Sequence, residues 1–342
     1  MNLISSGEEE ALRKRFKSKR KYWDHELRVR IQKSKRVAKW KKRQTQYLHD
    51  LTFGRIAGKF LPASNSRVQN GASDLLFEIV EAWTKKEPWR RVGSEKLRLA
   101  TFIFNDAFVE AAAPEIFLYR IKDRIRNALY EAKLHGVMFL EFEYTKVPTE
   151  PGHSSTAKIC VHAHGWIWPG DKNFKRREVE RLLNEKRGFE PIFGKPSVKL
   201  KSKKAHVRES LVKMSEYVLK RPGGIKRISR KAGEDGKITY RIRHNMDDWS
   251  GDIAVRMMEL YSQLDITELC FAVGDGKHLR SAWKSKMREE FRHAKGKHID
   301  ADEIGIFWNK VRKSKSKKPM APIVFHRDNP TPVNRSPKIG RY

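Results

Sequence analysis

The run Ile159-Cys160-Val161-His162-Ala163-His164-Gly165-Trp166-Ile167-Trp168 consists of strand formers interrupted by two histidines. Successive side chains of a strand point to opposite faces, so His162 and His164 share one face. The segment from Val137 to Tyr144 reads as a second strand, on which Glu141 and Glu143 share a face by the same rule. Leu97 to Phe104 predicts an earlier strand and Ile238 to Arg243 a last one. Helical spacing takes over between the strands. Phe117, Ile121, Ile125, Ala128 and Leu129 line one side of a helix that Pro114 opens and Gly136 ends. A short helix is predicted from Leu75 to Lys85, another from Arg176 to Lys186, and one from His206 to Lys220, halted by Pro222-Gly223-Gly224. Residues 247–292 predict two or three more around a Gly274-Asp275-Gly276 turn. The order β, α, β, β, α lacks the alternation of a doubly wound parallel sheet. It predicts an α+β fold in which an antiparallel sheet carries helices on one or both faces.

Outside this region the pattern weakens. Residues 8–50 hold sixteen Lys and Arg against six acids and predict a basic helical arm. Gly54 to Ser73 is rich in small and polar residues and reads as a linker. The expected division is therefore an arm and linker over 1–73, a sheet domain over 74–245 and a helical C-terminal part over 246–294. A basic, Pro-rich disordered tail is expected over 295–342. No internal repeat is evident.

Charge changes the picture. The 342 residues include 74 Lys and Arg against 41 Asp and Glu, a formal net charge of +33. Nucleic acid is the expected partner, because each neutralised phosphate releases counterions. No apolar run approaches the length of a spanning helix, so no membrane partner is expected. The polar, acidic start with Glu8, Glu9 and Glu10 gives no expectation of a secretory leader. Cys160 and Cys270 alone form neither a disulfide framework nor a zinc spacing, which points to a reducing, cytoplasmic, DNA-associated protein.

Two imidazoles and one or two carboxylates on adjacent strands make a metal site of a type suited to Mg²⁺, Mn²⁺ or another divalent ion that also takes phosphate oxygens. In one antiparallel register Glu143 lies opposite His162 and Glu141 opposite His164, and either glutamate is a candidate third ligand; His153, in the connecting loop, is a further one. A surface histidine pair and a solvent-facing edge strand account for each pattern separately. Their coincidence favours the metal. On the helix near 206–220, Val207, Leu211, Met214 and Val218 form the core stripe, and Tyr217 lies beside it with Lys213 and Lys220 on the same flank. Core-boundary tyrosines are often packing residues. Inside the segment 171–231, with twenty Lys and Arg against seven acids, this one is a candidate nucleophile for phosphorus, its phenolate favoured by the two ammoniums. Trp166, Trp168, Phe174 and Phe193 are candidate stacking platforms, of which at least two are expected in the core.

His162-Ala163-His164 followed by Tyr217-Val218-Leu219-Lys220 resembles the HUH endonucleases, and among them the rolling-circle replication initiators with a single tyrosine. The resemblance covers about Leu97 to Lys220; Leu99 to Asn105 is loosely similar to the family's first sheet motif. It implies a ferredoxin- or RRM-like antiparallel sheet with the metal histidines on a central strand, His162 and His164 as ligands, and Glu141 or Glu143 completing the set. It implies Tyr217 as the nucleophile that nicks single-stranded or hairpin origin DNA, leaving a 5′-phosphotyrosine link and a free 3′-OH, with Lys220 and Lys213 as phosphate partners. The tyrosine follows the histidines, unlike the order in conjugative relaxases. Lysine rather than glutamine after the tyrosine favours the initiators over the related transposases; a transposase or mobilisation relaxase is the alternative within the same chemistry. No GxxxxGK[ST] motif occurs, so a host helicase and polymerase would be needed. A homodimer is one way to resolve the covalent intermediate. A non-catalytic binder with an RRM-like sheet is the alternative of a different class.

Overall fold

The computed structural model describes residues 6–84, 97–149, 155–170, 175–201, 215–217, 219, 225–233, 237–245, 249–313 and 321–328. The fold is α+β, with an antiparallel-rich sheet and helices on both faces. The sheet is built on a long hairpin of β4 (Leu134–Pro148) and β5 (Ser155–Pro169), paired without interruption from Leu134↔Pro169 to Pro148↔Ser155. β2 (Arg98–Glu110) lies antiparallel on the other side of β5, and β6 (Val198–Lys201) closes that end. Beyond β4, β7 (Ile225–Ala232) pairs parallel with it and forms a hairpin with β8 (Ile238–Asn245). The earlier elements are helices α1 (Ser6–Gln32), α2 (Lys42–Phe53) and α3 (Ser66–Thr84) and strand β1 (Ile56–Ala57). Between β2 and β4 stand β3 (Glu115–Phe117) and α4 (Leu118–Glu131); α5 (Arg176–Asn184) follows β5. The C-terminal part holds α6 (Gly251–Ser262), β9 (Cys270–Val273), α7 (Gly276–Arg292), β10 (Lys297–His298), α8 (Ala301–Arg312) and β11 (Val324–His326).

The central strands are buried on both faces, as their near-continuous apolar runs require. On one face α4 presents Ile121, Ile125 and Leu129, all buried. On the other, the Trp283 ring of α7 meets Phe139 edge-on at 5.4 Å, and its indole N–H donates to Ala72 O of α3 at 3.0 Å. Several expectations are corrected. Pro114 precedes β3 rather than opening α4, because residues 115–117 pair with β11 before the helix begins. Gly136 lies within β4, where an added Cβ would stand 2.9 Å from Trp166 O, and the turn before it is made by Lys133 at φ 52°. The stretch read as a linker contains β1 and the first turns of α3, and Asp74 lies inside that helix. The tail expected to be disordered contains α8, whose Ile304, Phe307, Trp308 and Val311 are buried. These segments order because their apolar residues, with Leu27, Leu48, Leu51 and Val68 from the N-terminal helices, join the same core cluster as the sheet.

The outer edge of β4 is shared. β9 covers residues 136–139, Leu140 N–H donates to Leu269 O at 2.8 Å, and β7 covers 144–146. Between them the Tyr261 hydroxyl takes the strand's place: it accepts from Phe142 N–H at 2.9 Å and donates to Phe142 O at 3.2 Å. Tyr261 is 2% exposed, and burial pushes its phenol well above the ordinary value, so it remains a donor. Tyr261→Phe strips two buried backbone groups of their partner and is expected to destabilise the fold by about 1–3 kcal/mol. Urea unfolding should show a lower midpoint with an unchanged slope.

Candidate metal centre and tyrosine

β4 and β5 bring the histidines and one glutamate together. Glu141 lies opposite His162, and Phe139 opposite His164. One carboxylate oxygen, Glu141 Oε2, stands 3.3 Å from His162 Nε2 and 3.2 Å from His164 Nε2. All three side chains are buried, at 4%, 0% and 4% exposure for Glu141, His162 and His164. Among the described residues they form a group of ligand atoms within 4.8 Å of one another that can hold a metal ion. Ligands about 2.0–2.1 Å from a small divalent cation sit roughly 2.8–3.4 Å apart at octahedral to tetrahedral angles, a range that holds both Glu141–histidine separations. His162 Nε2 is buried and has no hydrogen-bond partner among the described residues, as a nitrogen reserved for a cation would.

The register differs by two residues from the one expected. Glu143 lies opposite Cys160, with its carboxylate 3.7 Å from His162 Nε2 and ion-paired to Lys226 of β7. A shift of two keeps every side chain on its face, so alternation cannot detect it; the Pro148↔Ser155 closure sets it. Burial alone would lower the Lys226 ammonium, but Glu143 outweighs it and holds the group above the ordinary lysine value. Lys226 is a fixed cation beside the centre.

The far ring nitrogens are also held. Thr101 Oγ1 on β2 lies 2.8 Å from His164 Nδ1, placed to accept its proton and leave Nε2 for the centre. Cys160 Sγ lies 4.0 Å from His162 Nδ1; burial pushes this thiol up, so it stays protonated. The two rings meet at right angles, with centroids 4.6 Å apart.

Tyr217 is on the same side. Its ring packs edge-on against His164 at 4.9 Å, and Lys201 Nζ of β6 lies 5.4 Å from its centroid. Residues 215–217 are helical, and Ser215 is buried while Tyr217 is half-buried. Lys213, Lys220, His153 and Phe174 lie outside the described residues, as do Val207, Leu211, Met214 and Val218. Of the stacking candidates, Trp166 and Trp168 are core residues at 1% and 2% exposure, Trp168 packing on His135 and Trp83. Thr101 and Lys201 escaped the sequence reading. The alternation Val198-Lys199-Leu200-Lys201, with both lysines exposed, carries the signal that Lys201 shares a face with Thr101 and His164 once β6 is paired to β2.

The segment bearing Tyr217 is tied to the N-terminal helix. The Arg20 guanidinium of α1 binds both Glu216 oxygens, at 3.1 Å from Nε to Oε2, and Asp74 of α3 at 3.0 and 3.3 Å. Burial pushes the Glu216 carboxyl up and Arg20 only partly offsets it. Arg20→Ala is expected to cost about 2 kcal/mol, the scale of lost charged hydrogen bonds. Amide exchange in the peptide spanning residues 215–219 should accelerate beyond that of the β4–β5 hairpin.

No family model, curated protein or solved structure matches this chain.

Proposed function

We propose that this chain is a divalent-metal-dependent nickase and strand transferase acting on single-stranded DNA, of the single-tyrosine replication-initiator kind. The observation that carries the proposal is the packing of Tyr217 against His164, a member of the buried Glu141–His162–His164 group. The tyrosine ring thus adjoins a group that could hold a cation, in a chain whose charge favours a polyanion.

Glu141, His162 and His164 would hold Mg²⁺ or Mn²⁺, with Glu143 beside them. When bound, the ion supplies Lewis-acid polarisation of the scissile phosphate. The Tyr217 phenol gives its proton to solvent and its oxygen attacks phosphorus; a P–O bond to the phenol oxygen forms, the bond to the 3′-oxygen breaks, and that oxygen leaves as a 3′-hydroxyl after taking a proton from water. Lys201 is near enough to the ring to favour phenolate and to offset charge on the phosphoryl oxygens. Thr101 orients His164, and the Arg20–Glu216 pair steadies the tyrosine's segment. The alternative of an RRM-like binder reading bases on an open sheet face is disfavoured by the burial of Trp166 and Trp168. The test is incubation with labelled single-stranded DNA and Mn²⁺. A metal-dependent covalent adduct mapping to Tyr217 supports the proposal, and an adduct at another residue, or none across a library of replicon origins, overturns it.

A further inference from the structure

A cleft adjoins the metal group on the same face, on the side of Cys160 and Lys226. It exists because β2 leaves its register with β5 there: Ile103 faces His162 and Phe108 faces Cys160, so four residues of β2 pass the single residue Val161. Above it stands the turn Ile192–Lys195, whose end residues exchange both backbone hydrogen bonds at 2.8 and 2.9 Å. Its central residues, Phe193 and Gly194, have φ of 49° and 68°, the left-handed pair of a type I′ turn. Asn-Gly suits that turn. A bulky aromatic in its first central place is sterically unfavourable and asks for a reason. Here the Phe193 ring stands over the cleft, edge-on to Phe108 at 5.6 Å and 5.2 Å from Tyr240. A second observation is independent of the rings. Thr145 lines the cleft, is 1% exposed, and its hydroxyl has no hydrogen-bond partner among the described residues. A hydroxyl can both donate and accept, as an edge of a base requires. Lys195 and Lys226 stand at the rim, and the β7–β8 hairpin continues the positive surface with Arg230, Lys231, Lys237 and Arg241, all exposed.

We propose that this cleft seats one unpaired nucleobase of a DNA single strand, on the nucleotide neighbouring the phosphate that Glu141, His162 and His164 would engage. Resting on the proposed function, it adds how the strand is gripped. The Phe193 ring offers the stacking surface, Thr145 meets a base edge, and Lys195 at the rim takes a flanking phosphate.

Phe193→Asn separates grip from fold, because asparagine accepts the left-handed conformation that phenylalanine resists. Its melting temperature should equal or exceed that of the wild type. Equilibrium binding is measured with oligo-dT and with an abasic sugar-phosphate oligomer of equal length and charge, without added metal. The wild type should favour oligo-dT by about tenfold or more, the scale of base–aromatic stacking. Phe193→Asn should lose about tenfold on oligo-dT and nothing on the abasic oligomer. Equal binding of both probes by the wild type, an unchanged affinity of Phe193→Asn for oligo-dT, or equal losses on both probes would each overturn the proposal. Absence of a tyrosine adduct would remove the nicking proposal and leave this binding difference standing.

Discussion

Glu141→Ala is expected to abolish the thermal stabilisation that Mn²⁺ gives the wild type. Glu141 Oε2 lies 3.2–3.3 Å from both imidazole nitrogens, so its loss removes the ligand atom that spans the pair. Glu143 does not substitute for it, because it is the more distant carboxylate and is engaged by Lys226. Changes in the residues that merely support a metal ligand cost about 10–100-fold in affinity, and removing the ligand itself should exceed the upper end of that range. The stabilisation from an ion that binds only the folded state grows as RT ln(1 + [L]/Kd), so the wild type should melt progressively higher across a Mn²⁺ titration while the variant stays flat. The metal-free proteins should show the reverse order. A carboxylate buried in the sheet carries a desolvation cost, and Glu141→Gln keeps the shape without the charge, so it should melt at or above the metal-free wild type. If Mn²⁺ raises the melting temperature of Glu141→Ala as it does that of the wild type, the group is not the metal's seat.

The second large effect concerns Tyr217→Phe. The substitution removes one hydroxyl and keeps the ring that packs on His164. Stability, the Mn²⁺-induced melting shift and single-strand affinity should therefore persist, while the covalent adduct falls on the order of 10⁴-fold or more, as for loss of a nucleophile that no neighbour replaces. Single-turnover adduct formation, followed by denaturing gel, makes the comparison. The combination is diagnostic: a structural tyrosine would move stability, a binding tyrosine would move affinity, and only an attacking one moves the adduct alone. An adduct that forms at the wild-type rate in Tyr217→Phe would return this residue to the role of a packing side chain.

The strands of the site were legible because alternation is a local signal. His162 with His164, and Glu141 with Glu143, share faces as expected, and the helix stripe of Ile121, Ile125 and Leu129 is buried. The register was not legible, because a period of two is blind to a slip of two. Nor were Thr101 and Lys226, which flank the group from β2 and β7, or Lys201 of β6, which meets the Tyr217 ring; neighbours across a sheet follow from topology rather than from spacing along the chain. The N-terminal segment is helical as expected, but its packing onto the core was not legible: Leu27 and Ile31 stand four apart, which is helical spacing, yet sixteen basic residues over 8–50 obscure so short an apolar stripe. Long basic side chains can cover an apolar seam with their stems while the charge stays in water.

The hydroxyl that closes the outer side of β4 belongs to a residue 119 positions further along the chain. Ribosomal synthesis delivers the whole β4–β5 hairpin well before Tyr261 and β9 emerge. Until they do, the strand that carries Glu141 has an open flank able to recruit a strand from a neighbouring nascent chain. Maturation of the site thus waits on the C-terminal third, and a fragment ending at residue 245 would keep both histidines and the glutamates yet remain adhesive along that flank.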